Sequence, residues 1–128
     1  MNLDLRNSAD DTSQRMLNAI EPGSVVPIHR HRSTSETVVC LRGRLVWEYY
    51  DELERICTET IELSPNGQIV ALNVPAGQWH TVRALESGSV ILEVKDGGVC
   101  GYWGGGYPDA MIQEDRRQCS AVLTNQRI

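Results

Sequence analysis

The chain has 128 residues, 41% of them hydrophobic and 23% charged, with a formal net charge of −5. That length suits one domain able to bury a core without disulfides, and an acidic balance without a basic run argues against nucleic acid or anionic membranes as the main partner. No basic-then-apolar leader and no apolar run of bilayer length occurs, so the expectation is a cytoplasmic protein with no membrane partner.

The first patterned stretch, "DDTSQRMLNAI", allows two readings. Asp11, Thr12 and Ser13 can cap a short helix running to Ile20. Alternatively Met16, Asn18 and Ile20 line one face of a strand. After "EPG" comes "PIHRHRSTSE", which holds two of the three histidines in the protein, His29 and His31, one residue apart, with Glu36 close behind. On a strand these two imidazoles project from one face and Arg30 from the other, whereas on a helix they diverge. "RSTS" then reads as a polar turn that brings Glu36 back on the next strand.

From there Gly and Pro cut the chain into short pieces rich in Val, Ile, Thr, Trp and Tyr: "ETVVCL", "RLVWEYY", "ICTETIEL", "IVALNV", "WHTVRAL" and "SVILEVK". Many short β-prone runs between turns predict an all-β protein, a sandwich or barrel of six to eleven antiparallel strands. "PAG" turns the chain so that His80 opens another strand. Beside it, Trp79 reads as a packing residue on the opposite face. In "SVILEVK" the apolar phase Val90, Leu92 and Val94 predicts the core side, which leaves Glu93 and Lys95 outside. Beyond Lys95 the sequence changes to a Gly-rich tail, 97–128, with at most one short helix from Pro108.

One site then accounts for every histidine. Two or three imidazoles and a carboxylate suit a divalent transition metal. Four cysteines, Cys40, Cys57, Cys100 and Cys119, show no CxxC spacing and read as free thiols, with Cys40 a small core residue near the site. Glu48, Tyr49, Tyr50 and Gln78 are candidates for proton transfer, each with a plainer structural role available. No acid/base pair outside the ligands stands out, so no catalytic residue is assigned.

The motifs resemble those of the cupins, a family whose fold is a double-stranded β-helix, or jelly-roll barrel. The first runs Gly23, five residues, His29-Arg30-His31, four residues, Glu36, six residues, Gly43; the second is Gly67, Pro75, Gly77, His80 and Ala84. The second departs from the family in a longer glycine-to-proline gap and in Ala84, where the family has Asn. Neither departure touches a ligand position. Over residues 6–97 the segments "QRMLNAIEPGS", "HRH", "ETVVCLRGRL" and "VPAGQWHTVRALESGSVILEVK" are similar to WbuC-type cupin-fold metalloproteins of polysaccharide synthesis loci. That resemblance implies a single domain with its core at 15–96, the N-terminal segment as a strand, and one divalent ion on His29, His31, Glu36 and His80. Zinc is the first expectation, with iron, nickel or manganese accepted by the same donors. It further implies a homodimer, for which exposed strand edges give a physical reason.

For function the expectation is a protein that binds an oxygen-rich small molecule, a carbohydrate or sugar nucleotide, or transforms it by isomerisation or epimerisation in polysaccharide biosynthesis. The same ligands would also serve an iron-dependent dioxygenase, or a non-catalytic binding or sensing module.

Overall fold

The computed structural model describes residues 1–96, and all its regular structure is β. The strands are β1 (Asn2–Asp4), β2 (Ser13–Ile20), β3 (Glu36–Arg42), β4 (Leu45–Tyr50), β5 (Cys57–Leu63), β6 (Ala71–Val74), β7 (Trp79–Ala84) and β8 (Ser89–Asp96). They form two antiparallel sheets, one of five strands in the order β1-β2-β8-β3-β6 and one of three in the order β5-β4-β7. The six β-prone runs of the sequence become β3 to β8. Among the described residues no helix exists that could cross a membrane. Cys100, Cys119 and the tail after Asp96, with the helix suggested from Pro108, lie outside the described residues.

The helix alternative for 11–20 is overturned. Gln14, Met16, Asn18 and Ile20 are buried and the residues between them are not, a period of two that only a strand produces. This strand runs beside the whole length of β8, from Ser13 opposite Asp96 to Ile20 opposite Ser89. The short β1 was not anticipated and adds an edge to β2.

The space between the sheets has two zones. Val38, Cys40, Leu45, Trp47, Leu63, Val74, Val82 and Ile91 form an apolar core, each at most 4% exposed. Burying such side chains contributes roughly 1.5–3 kcal/mol apiece. The other zone is polar, because Glu36, Lys95, Gln14 and His80 are buried there. Cys40 belongs to the core, but its thiol faces the carbonyl oxygens of Arg42 and Gly43, four residues along β3 from Glu36, so it is not a neighbour of the site. The β3–β4 connection needs a glycine at 43: φ is +78°, and a Cβ there would lie 2.7 Å from the Ser89 Cα.

Candidate metal centre

"HRH" is extended but is not part of a strand ladder. Pro27 supplies no N–H to a neighbour, and pairing is limited to one bridge in which His29 and His80 exchange backbone hydrogen bonds of 2.9 and 2.8 Å. The expectation that these histidines lie on a strand is corrected to that extent. Its consequence survives, since extended backbone alternates: Arg30 projects away, stacking over Trp79 at 4.5 Å and pairing with Glu52 at 3.0 Å, while His29 and His31 turn inward. A hydrogen bond from the Gly77 N–H to the His31 carbonyl oxygen ties the "PAG" turn to the same segment. Trp79 is a packing residue, as its position beside His80 suggested.

The three imidazoles converge. Ring centroids are 4.4 Å apart for His29 and His80, 5.2 Å for His29 and His31, and 5.6 Å for His31 and His80. Their ligand nitrogens lie within 4.8 Å of one another, so the trio can hold a metal ion. Orientation supports this. The Nδ1 of His29 lies 2.8 Å from the Pro27 carbonyl oxygen, and that of His80 2.8 Å from the Gln78 carbonyl oxygen. A carbonyl only accepts, so both rings carry hydrogen on Nδ1 and, when neutral, present a lone pair on Nε2. Both are held neutral: burial pushes His29 well below the ordinary histidine range and His80 down to about 4. The Nε2 of His80 is buried with no protein partner, which is what a ligand atom awaiting an ion looks like. Trp47 stacks on the His80 ring at 5.2 Å and fixes its plane.

Glu36 lies next to the trio rather than within it. Its Oε2 is 2.8 Å from His31 Nε2. Burial raises its pKa, yet the hydrogen bond with His31 and the electrostatic pull of that ring outweigh burial and hold it below the usual carboxylate range. The opposite nitrogen of His31, Nδ1, is 3.0 Å from Lys95 Nζ.

Lys95 and Glu93 overturn the sequence reading of β8. The inward phase is Ile91, Glu93 and Lys95, and the apolar phase Val90, Leu92, Val94 faces out, with Val94 37% exposed. The inference failed because the interior here is polar: opposite β8, Gln14 and Asn18 on β2 also face in. Two polar residues sharing a face with Met16 and Ile20 were the available signal. Burial pushes Glu93 well above the carboxylate range, reinforced by the charge of Glu36 and a hydrogen bond with it, and Asn18 Nδ2 donates to Glu93 Oε2. Burial also lowers the pKa of Lys95. A carboxyl group that gives up its proton less readily and an amine that ionises less readily thus stand beside the histidines, a pair the sequence did not reveal. The other proton-transfer candidates have structural roles. Glu48 bridges Arg83 and Tyr50, and Gln78 donates to the carbonyl oxygens of Tyr50 and Trp79. Tyr49 packs against the core.

Solved structures share this arrangement of sheets. TT1209 from Thermus thermophilus superposes with a TM-score of 0.60 at 22% identity, over 77% of this chain and 83% of that one. KdgF from Halomonas sp. does so with 0.59 at 19% identity, over 86% of this chain and 82% of that one. Oxalate decarboxylase from Bacillus subtilis gives 0.55 at 22% identity, over 68% of this chain but only 22% of its own length. These are cupin-fold proteins. The chain has the cupin fold. Within that fold, a family model described as a domain of unknown function, DUF6016, matches residues 1–63, which include His29, His31 and Glu36 of the cupin motif and stop short of His80. No curated protein matches the chain.

Proposed function

We propose that this cupin holds one divalent ion on His29, His31, Glu36 and His80 and binds or isomerises a carbohydrate or sugar nucleotide there. The observation that carries the reading is the unpartnered Nε2 of buried His80, directed among two further histidines whose rings are fixed or hydrogen-bonded from behind. Glu36 completes the donor set because its carboxylate already abuts His31 Nε2. Three neutral imidazoles and one carboxylate leave a divalent ion a net charge of about +1, which favours oxygen-donor or anionic ligands. When bound, the ion supplies Lewis-acid polarisation of a carbonyl or hydroxyl oxygen. Zinc is the first expectation, and iron, nickel and manganese suit the same donors.

The remaining chemistry belongs to the protein. Glu93, whose pKa burial pushes well above the ordinary carboxylate range, places a weakly acidic carboxyl group inside the barrel. Lys95 sets the environment of His31 Nδ1 and places a basic nitrogen on the same wall. An acid and a base on the inward phase of one strand, beside the histidines, suit proton shuffling between adjacent carbons of a hydroxy-carbonyl compound. The carbohydrate class itself is supported by the resemblance to polysaccharide-locus cupins.

Incubating the metal-loaded protein with a panel of sugar nucleotides under argon tests the reading. Isomerisation without O₂ supports it, and a melting temperature raised by one member without turnover supports its binding form. Consumption of O₂ dependent on iron would replace it with an oxygenase.

A further inference from the structure

The proposed function uses one end of the barrel, where β3 begins at Glu36. Arg42 closes the same strand six residues on, about 20 Å away in extended backbone, with buried Val38 and Cys40 entering the core between the two ends. At that far end the turns after β3, β5 and β7 border a cleft of about 430 Å³, lined by Leu41, Arg42, Arg44, Pro65, Asn66 and Glu86 among others. Small-molecule sites run from roughly 300 to 1,000 Å³. Two guanidinium groups and one carboxylate give this lining a net charge of +1 in a chain of net charge −5.

We propose that this cleft is a second ligand site, separate from the histidines, that takes the phosphate group of a small organic molecule. Neither arginine is committed within the protein. Arg42 makes no ion pair among the described residues. Arg44 Nε lies 3.5 Å from Glu62 and 3.6 Å from Glu86, longer than the about 2.7–2.9 Å of a formed charge-assisted bond, and all three side chains are about half exposed. Such pairs contribute little, so an incoming anion can displace them. The frame that carries the arginines, by contrast, is fixed. The Arg44 N–H donates to Ser89 Oγ at 3.2 Å, Ser89 Oγ donates to the Glu86 carbonyl at 2.7 Å, and the Leu85 N–H donates to the Arg44 carbonyl at 2.8 Å, with Ser89 fully buried. Gly88, at φ +73°, leaves the Arg42 guanidinium room beside the same turn, since a Cβ there would lie 3.9 Å from it. One guanidinium fork satisfies a carboxylate, whereas two forks beside one cleft suit the three oxygens and double charge of a phosphate monoester. Leu41 and Pro65 add apolar wall that a bare ion would not use, which favours a phosphate with an organic body.

Titration of the full chain with inorganic phosphate, followed by ¹H–¹⁵N NMR in chelator at constant ionic strength, tests the site without a metal ion to attract the anion. The expected result is saturable shifts centred on the amides of Arg42, Gly43, Arg44 and Asn66, with affinity reduced at least ~10-fold in Arg42→Gln and in Arg44→Gln. Arg83→Gln, which removes an exposed charge from the outside of β7, should bind like wild type. No saturable shift, shifts centred elsewhere, or equal losses in all three variants overturn the proposal, and acetate bound as tightly as phosphate overturns the assignment to a doubly charged group. Should either cleft variant lose its native spectrum, Glu86→Gln decides. Without the carboxylate that faces the anion and competes for Arg44, phosphate must bind more tightly than to wild type; equal or weaker binding overturns the proposal.

Discussion

Acid should weaken the metal-free protein through His80 over a definable window. This residue is 1% exposed, and burial lowers its pKa from 6.5 to about 4. Between those values the unfolded chain takes up a proton at His80 that the folded chain refuses, so stability falls as pH falls through the window and levels off below it. Across the window one such group contributes ~3 kcal/mol, a slope of about 1.4 kcal/mol per pH unit while the proton difference is complete. Glu36 acts elsewhere, because its depressed pKa stabilises the fold above the ordinary carboxylate range and that stability is lost only below it. Glu93 acts with opposite sign, so the comparison must be between wild type and His80→Gln rather than on wild type alone. Urea denaturation in chelator at half-unit steps from pH 7 to 4 gives both curves. The variant is less stable throughout, having lost the stack on Trp47, but its curve should be shallower by about one proton. Parallel curves would show that His80 titrates normally in the folded state and that its environment is not the dry one described.

Glu93→Gln should gain on wild type as pH rises above about 4.5, because the folded protein keeps a proton on Glu93 that the unfolded chain releases; a stability difference independent of pH would contradict this. Trp47→Ala, in a side chain 1% exposed, should cost about 3–5 kcal/mol by thermal or urea unfolding, and a loss under 1 kcal/mol would deny the core assigned here. Gly43→Ala combines a left-handed backbone with a clash against Ser89 and should cost more than Gly77→Ala, where φ is +83° but nothing lies within 4 Å of a new Cβ. Of the two described cysteines, exposed Cys57 should react with a thiol reagent in the native state and buried Cys40, whose thiol burial pushes up, only on unfolding.

Strands β3 to β8 were legible because each is a β-branched or aromatic run between Gly or Pro turns. The histidines and Glu36 were legible because spacing fixes which face a side chain takes, and extended backbone preserves that even where, as at His29, only one bridge forms. Strand β1 was not, since "NLD" has no pattern and pairs only because β2 offers an open edge. The larger failure was β8. Strand β8 has apolar outward residues and a partly polar inward phase, so hydrophobicity assigned Val90, Leu92 and Val94 to the wrong side and hid Glu93 and Lys95. Alternation gave the two faces correctly; only knowledge of the neighbouring β2 could say which was which.

Elemental analysis of protein purified without chelator, beside the His29→Ala, His31→Ala and His80→Ala variants, tests the metal centre most directly. About one equivalent of a divalent transition metal in wild type, sharply reduced in each variant whose circular dichroism stays native, is the predicted result. A full equivalent retained in the triple variant, or wild type that takes up none when dialysed against zinc, iron, nickel or manganese, would contradict it.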